Sequence, residues 1–108
     1  MNDIIGSMDK EPRERRKHER IPFREDIIVD GVMKATSVDI CEMGLYVCAH
    51  QHYYENAVID ITIPFQGKTF TLKGQVNYLH PGIGMGIKFI NPNNEQQRKL
   101  KELIDNRD

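Results

Sequence analysis

Apolar and polar residues alternate with a period of two along most of the chain after residue 25, and this pattern predicts β-strands. The clearest run covers residues 57–65, where the alternate positions are Ala57, Ile59, Ile61, Ile63 and Phe65. Five shorter runs share this character, and residues that favour turns, such as Asp30-Gly31 and Gly67, separate them. The pattern therefore predicts six short strands joined by tight turns.

The alternation also predicts which side chains face the interior. Before residue 42, Val38 and Ile40 fall on one face of a strand, while Ser37 and Asp39 fall on the other. The inward face of the strand after Gly67 is predicted to hold Phe70, Leu72, Gly74, Val76 and Tyr78, and the last inward set is Met85, Ile87 and Phe89. An interior glycine such as Gly74 predicts a bulge or a sharp bend.

The pattern changes to a helical one near the C-terminus. Asn93, with Gln96 three residues later, forms a capping-box sequence, and Leu100, Leu103 and Ile104 follow as a narrow apolar stripe at helical spacing. These features predict a helix over about residues 94–105. Six strands and one terminal helix favour a small closed barrel, because closure removes exposed strand edges. The predicted fold is all-β with one terminal helix, a six-stranded antiparallel β-barrel plus a C-terminal α-helix.

Length and composition limit the choice of function. The chain has 108 residues, a formal net charge of −1 and two cysteines. Near-neutral charge weighs against a globally basic nucleic-acid binder, and no apolar run approaches the roughly 20 residues needed to span a bilayer. We expect a cytoplasmic protein with reduced thiols, no nucleic-acid partner and no membrane insertion.

The N-terminal stretch differs from the rest of the chain. Residues 1–14 mix charges of both signs and have no apolar periodicity, which is typical of a flexible tail. We expect residues 15–108 to form one folded domain that includes the basic cluster and the C-terminal helix.

Two polar stretches carry the candidate chemistry. The first is Arg15-Arg16-Lys17-His18-Glu19-Arg20, and the second is Asp39-Ile40-Cys41-Glu42-Met43-Gly44, a turn between two predicted strands. A guanidinium presents a planar fork that can pair with phosphate oxygens or with guanine O6 and N7. A carboxylate can accept hydrogen bonds from guanine N1–H and N2–H. We interpret the two stretches as halves of one site for anions and guanine, with Gly44 free to adopt a positive φ in the turn.

These stretches resemble the signature of a known family. The segment from Arg16 to Arg20 matches the RxxxR motif of PilZ domains, and the segment from Asp39 to Gly44 fits their (D/N)xSxxG motif except at Cys41, where the family usually has serine. The stretch Gly84-Met85-Gly86-Ile87-Lys88-Phe89 resembles the end of the family's barrel. The resemblance extends from about Arg15 to the C-terminal helix.

PilZ domains are bacterial receptors for cyclic di-GMP, a second messenger with two phosphates and two guanines. The resemblance implies that Arg16 and Arg20 wrap over the ligand and that Asp39, Cys41 and Gly44 meet a guanine. Arg15 resembles an arginine of those members that take up an intercalated pair of ligand molecules. We also expect the ligand to order residues 1–20 against the barrel. The resemblance implies that the signal then passes to an unidentified downstream protein, such as a motility or polysaccharide-production component that would affect biofilm formation.

Other functions remain open at this point. Cys41 in place of serine motivates a degenerate PilZ-like adaptor that acts by protein contacts without binding nucleotide. A small RNA- or DNA-binding barrel is less favoured, because the polar faces of the strands are mixed in charge. We expect no enzyme, no catalytic residues and no cofactor other than the ligand, since no P-loop, nucleophile elbow or HExxH is present. We expect no metal, because Cys41, Cys48, His50 and His52 lack ligand spacing.

Overall fold

The computed structural model describes residues 19–48 and 53–106. The strands and the helix in this part of the chain follow one another with short connections. They are β1 Ile21–Pro22, β2 Asp26–Val29, β3 Met33–Cys41, β4 Gly44–Cys48, β5 Val58–Phe65, β6 Lys68–His80, β7 Gly84–Phe89 and the helix α1 Asn94–Asp105.

Six of these strands close into an antiparallel barrel. Around its wall the order is β3-β2-β5-β6-β7-β4, and β4 pairs back onto β3 to complete the ring. The prediction of a six-stranded antiparallel barrel with a C-terminal helix is thus confirmed. The two-residue strand β1 is an addition to the predicted set, and it pairs with the end of β3 through Ile21 opposite Ile40 and Pro22 opposite Asp39.

The barrel interior is filled by the side chains that the alternation placed there on β5 and β7. The buried side chains on these strands are Ile59, Ile61, Ile63, Met85, Ile87 and Phe89. Removing such apolar surface from water is the main favourable term in folding. The wall is therefore held from inside, and its outward positions are available for other contacts.

A bulge in β3 changes the predicted orientation of its side chains. The register of β3 against β4 shifts between Ser37 and Asp39, and Ser37 is fully buried while Val38 is only partly buried. The prediction that Val38 and Ile40 share one face, opposite Ser37, is therefore wrong. An inserted residue reverses the alternation beyond it.

A second irregularity lies in β6, where the register against β7 shifts between Val76 and Tyr78. Tyr78 consequently points outward and is 36% exposed, so its predicted inward position is also wrong. Gly74, where a bulge was predicted, pairs regularly with Phe89 and Ile59. A Cβ at Gly74 would lie 2.5 Å from Cγ2 of Ile87, so this glycine makes room for a core side chain.

Buried Ser37 fixes the segment that leads from β1 to β2. Its hydroxyl donates a hydrogen bond to the carbonyl oxygen of Phe23 and accepts one from the backbone N–H of Glu25 at 2.9 Å. The N–H of Phe23 in turn donates to the carbonyl oxygen of Val38 at 3.0 Å. These bonds hold the chain entering the barrel against β3, and Arg20 lies directly before that entry.

Helix α1 begins and ends where the sequence predicts. The capping box is formed, because the Gln96 N–H donates to Oδ1 of Asn93 and the Asn93 N–H donates to Oε1 of Gln96, both at 2.8 Å. Its apolar stripe of Leu100, Leu103 and Ile104 is buried in the barrel core. Within residues 19–48 and 53–106, no helix has the length and apolar character needed to cross a membrane.

Candidate ligand-binding site

The turn between β3 and β4 is held by two hydrogen bonds of its backbone. Its two central residues are Glu42 and Met43, flanked by the paired residues Cys41 and Gly44. The Met43 N–H donates to Sγ of Cys41 at 3.4 Å, and the Met43 carbonyl oxygen accepts from the Phe89 N–H at 2.8 Å. The turn is therefore tied both to its own cysteine and to the end of β7.

Gly44 is needed in this turn because of a close approach between strands. Its φ is not positive, so it does not use the left-handed conformation that a glycine is free to adopt. A Cβ at this position would lie 2.0 Å from the carbonyl oxygen of Ile87 and 3.1 Å from Cα of Lys88. Only a residue without a side chain lets β4 approach β7 this closely.

Arg20 and Asp39 join the two motif stretches. The distance from Nη1 of Arg20 to Oδ1 of Asp39 is 2.9 Å, and the two side chains are 38% and 31% exposed. The pairing of Pro22 with Asp39 brings the arginine to this point. An ion pair this exposed contributes only about 0–1 kcal/mol to stability, so an anionic ligand can compete with Asp39 for Arg20.

A row of side chains runs from Asp39 across the outer wall. Asp39 pairs with Tyr46 on β4, Tyr46 with Gly86 on β7, and Gly86 with Tyr78 on β6. The two tyrosine ring centroids lie 6.1 Å apart. A Cβ at Gly86 would lie 2.4 Å from the Tyr78 ring, so the ring occupies the space above this glycine. The row forms an aromatic surface beside the ion pair.

The phenol of Tyr46 belongs to a small polar group at the edge of this surface. Its hydroxyl lies 2.8 Å from Nδ1 of His80, within hydrogen-bond distance. Desolvation raises the pKa of Tyr46, and the neighbouring Cys48, Tyr78 and Asp39 side chains raise it further. Tyr46 is therefore neutral at physiological pH and adds no charge beside Asp39.

An open cavity of about 250 Å³ lies on the outer wall next to the ion pair and the turn. Its lining combines the end of the first motif with residues of β4, β6 and β7. The lining residues are Arg20, Met43, Gly44, Asn77, Tyr78, Gly86, Ile87 and Lys88. Two of them are cations and none is a carboxylate, so the cavity suits an anionic ligand.

The structure brings together Arg20, Asp39 and Gly44 of the six predicted site residues. Cys41 lies beneath them and is 4% exposed, with its sulfur occupied in the turn. Arg15 and Arg16 lie outside the described residues, as do His50 and His52. Within the described ranges, His, Cys, Asp and Glu side chains form no group of three that could hold a metal ion.

Sequence reasoning missed four residues of this wall: Tyr46, Asn77, Tyr78 and Lys88. Two of them could have been found from alternation alone, since Tyr46 follows inward Leu45 and Lys88 lies between inward Ile87 and Phe89. The outward position of Tyr78 depends on the bulge in β6, which no local signal marked.

Comparisons with known proteins agree with this fold. A family model for the PilZ domain matches residues 14–106. The chain is similar to the crystal structure of the PilZ domain of CeSA from a cellulose synthesizing bacterium, with 22% identity and a TM-score of 0.61 over 82% of this chain and 96% of that chain. The search of curated proteins found no match. The structural similarity supports the fold, and the family model extends over most of the sequence, so the chain belongs to the PilZ domain family.

Proposed function

We propose that this protein is a cyclic di-GMP receptor that binds its ligand between the arginine segment and the β3–β4 turn, and that it signals to a partner protein. PilZ domains are regulatory receptors for this nucleotide. The observation that carries the proposal is the 2.9 Å contact between Arg20 and Asp39 beside an open cavity without carboxylates in its lining. This contact unites one end of each motif at one place on the barrel wall.

The ligand competes with Asp39 for Arg20. The exposed ion pair between Arg20 and Asp39 has one short contact and contributes only about 0–1 kcal/mol. A phosphate can accept two parallel hydrogen bonds from the same guanidinium, and this bidentate contact outweighs the single one. The released carboxylate of Asp39 then accepts from guanine N1–H and N2–H, which selects guanine over adenine.

The remaining motif residues complete the site. Arg15 and Arg16 supply further guanidinium groups for phosphates and for stacking on bases, and Arg15 supports uptake of an intercalated pair of ligand molecules. Gly44 keeps the turn close to β7 and leaves the guanine an open approach. Cys41 acts through the turn, because its sulfur accepts the Met43 N–H. Ligand binding orders residues 1–20 against the barrel, and the changed surface is read by the downstream protein.

Calorimetric titration with cyclic di-GMP, with cyclic di-AMP as the competing nucleotide, tests the proposal. We expect guanine-selective binding, and we expect Arg16→Ala and Arg20→Ala each to weaken affinity by more than about tenfold, the equivalent of about 1.4 kcal/mol. A stoichiometry of two ligands per chain is the result expected from Arg15.

Arg24→Ala is the matched control, since Arg24 is exposed and does not line the cavity. Its affinity should equal that of the unmodified protein. Unchanged affinity in both motif variants, or equal binding of the two nucleotides, would contradict the assignment of the site.

A second candidate function is a PilZ-like adaptor that binds no nucleotide, and Cys41 in place of the family's serine is the feature that favours it. A Cys41→Ser substitution separates the two functions. For a working receptor we expect a change in affinity of less than about threefold, because this side chain is buried and bonded within the turn. A large gain in affinity would show that the natural site is impaired and would favour the adaptor.

A further inference from the structure

The charge of the cavity is distributed unevenly between its two cations. Arg20 is partly neutralised by Asp39 at 2.9 Å. Lys88 makes no ion pair with any side chain in residues 19–48 or 53–106, whereas Lys73, Lys99 and Lys101 each do. Of the two cations that line the cavity, Lys88 is therefore the one whose charge is not paired with a carboxylate of the described residues.

The position of Lys88 follows from the strand geometry. Ile87 and Phe89 point into the core, so Lys88 between them points outward from β7. Its partner on β4 is Gly44, the last residue of the second motif. Gly44 and Lys88 both line the cavity, and Lys88 borders it on the side of β7.

We propose that Lys88 forms an anion subsite on the barrel wall, in which its ammonium group binds a phosphate oxygen of the nucleotide. The inference rests on the proposed function and extends it to a residue outside both motifs. An ammonium group is a compact charge with three donors, so it attracts a phosphate without the planar fork of an arginine. Lys88 thus holds a phosphate of the ligand while Arg20 leaves its ion pair with Asp39 and binds the ligand.

Titration of Lys88→Gln with cyclic di-GMP at several salt concentrations tests this role. We expect affinity to fall by about fivefold to tenfold at low salt, the effect of losing one charge-assisted contact that is partly open to solvent. The difference from the unmodified protein should narrow as salt rises, because exposed charges are screened. Lys88→Arg, which keeps the charge, should retain affinity within about twofold.

Lys68→Gln is the matched control. Lys68 is also exposed at a strand position, forms no ion pair with the described residues, and does not line the cavity. Its affinity should be unchanged, and thermal unfolding should show that both glutamine variants remain folded. Unchanged affinity in Lys88→Gln, or an equal loss of affinity in Lys68→Gln, would overturn the subsite. The affinity of Arg20→Ala tests the proposed binding site independently of Lys88. If the unmodified protein binds no cyclic di-GMP, the proposed function fails and the subsite fails with it.

Discussion

Two residues of the second motif, Gly44 and Cys41, shape the backbone around the β3–β4 turn. Gly44 allows β4 to lie against the carbonyl oxygen of Ile87, and Cys41 holds the N–H of Met43. Both are motif positions that the family resemblance assigns to the ligand. In this protein they also build the turn beside the candidate site, so loss of binding after their substitution does not by itself identify a ligand contact.

Gly44→Ala should destabilise the protein more than a glycine substitution at a hairpin tip. The added Cβ would meet backbone atoms of β7, with Ile87 O at 2.0 Å, and overpacking of this kind costs about 1–3 kcal/mol or more. Urea unfolding measures the change in the free energy of unfolding.

Gly67→Ala is the comparison for this substitution. Gly67 has a φ of +78° but no atom within 4 Å of an added Cβ, so we expect only the cost of a left-handed residue, about 1–2 kcal/mol. A smaller decrease in the free energy of unfolding for Gly44→Ala than for Gly67→Ala would show that β4 and β7 can move apart at little cost in stability.

At the scale of elements, the short strand β1 and the bulged strand β3 connect the arginine segment to the barrel. The bulge turns Ser37 into the interior, and its hydroxyl bonds to the backbone of Phe23 and Glu25. Beyond the bulge, Asp39 reaches the outer wall opposite Pro22. One irregularity thus both anchors the incoming chain and exposes the carboxylate that pairs with Arg20.

Ser37→Ala should lower both stability and ligand affinity. Removing its hydrogen bonds costs about 1–3 kcal/mol, and a less firmly held β1 positions Arg20 less well. Urea unfolding and calorimetry measure the two effects.

Asn93→Ala is the control for general destabilisation. It removes the helix cap at a cost of about 1 kcal/mol, away from the arginine segment. Its ligand affinity should be unchanged. Equal loss of affinity in both variants would mean that Ser37 acts only through stability.

On the scale of the whole molecule, barrel closure assembles the wall from parts that are distant in sequence. The pairing of β4 with both β3 and β7 places Asp39, Gly44 and Lys88 on neighbouring strands. Arg20 joins them from outside the ring. A ligand held by both the arginine segment and this wall would link the N-terminal part of the chain to the barrel.

Cyclic di-GMP should therefore slow amide hydrogen exchange in residues 15–24 and in the β3–β4 turn. The β2–β3 turn at residues 30–32, at the other end of β3, should be unaffected. Mass-spectrometric exchange with and without ligand measures this, and cyclic di-AMP serves as the control nucleotide. Protection confined to the barrel, with none in the arginine segment, would contradict the proposed coupling.

The sequence by itself determined most of the architecture. The strict alternation in residues 57–65, the capping box at Asn93 and the stripe ending at Ile104 are local signals, and each led to the observed element. The two motif stretches were also visible in the sequence, because each is a short run of characteristic residue types. Their physical basis lies within a few neighbouring residues.

Only the tertiary structure decided which side chains share the candidate site. The bulges in β3 and β6 set the outward positions of Asp39 and Tyr78, and a bulge depends on the partner strand rather than on local alternation. The pairing of Gly44 with Lys88 joins strands that are not consecutive in the chain. Such neighbours are fixed by closure of the barrel, since the packing of the whole wall selects one register and the sequence pattern of a single strand does not.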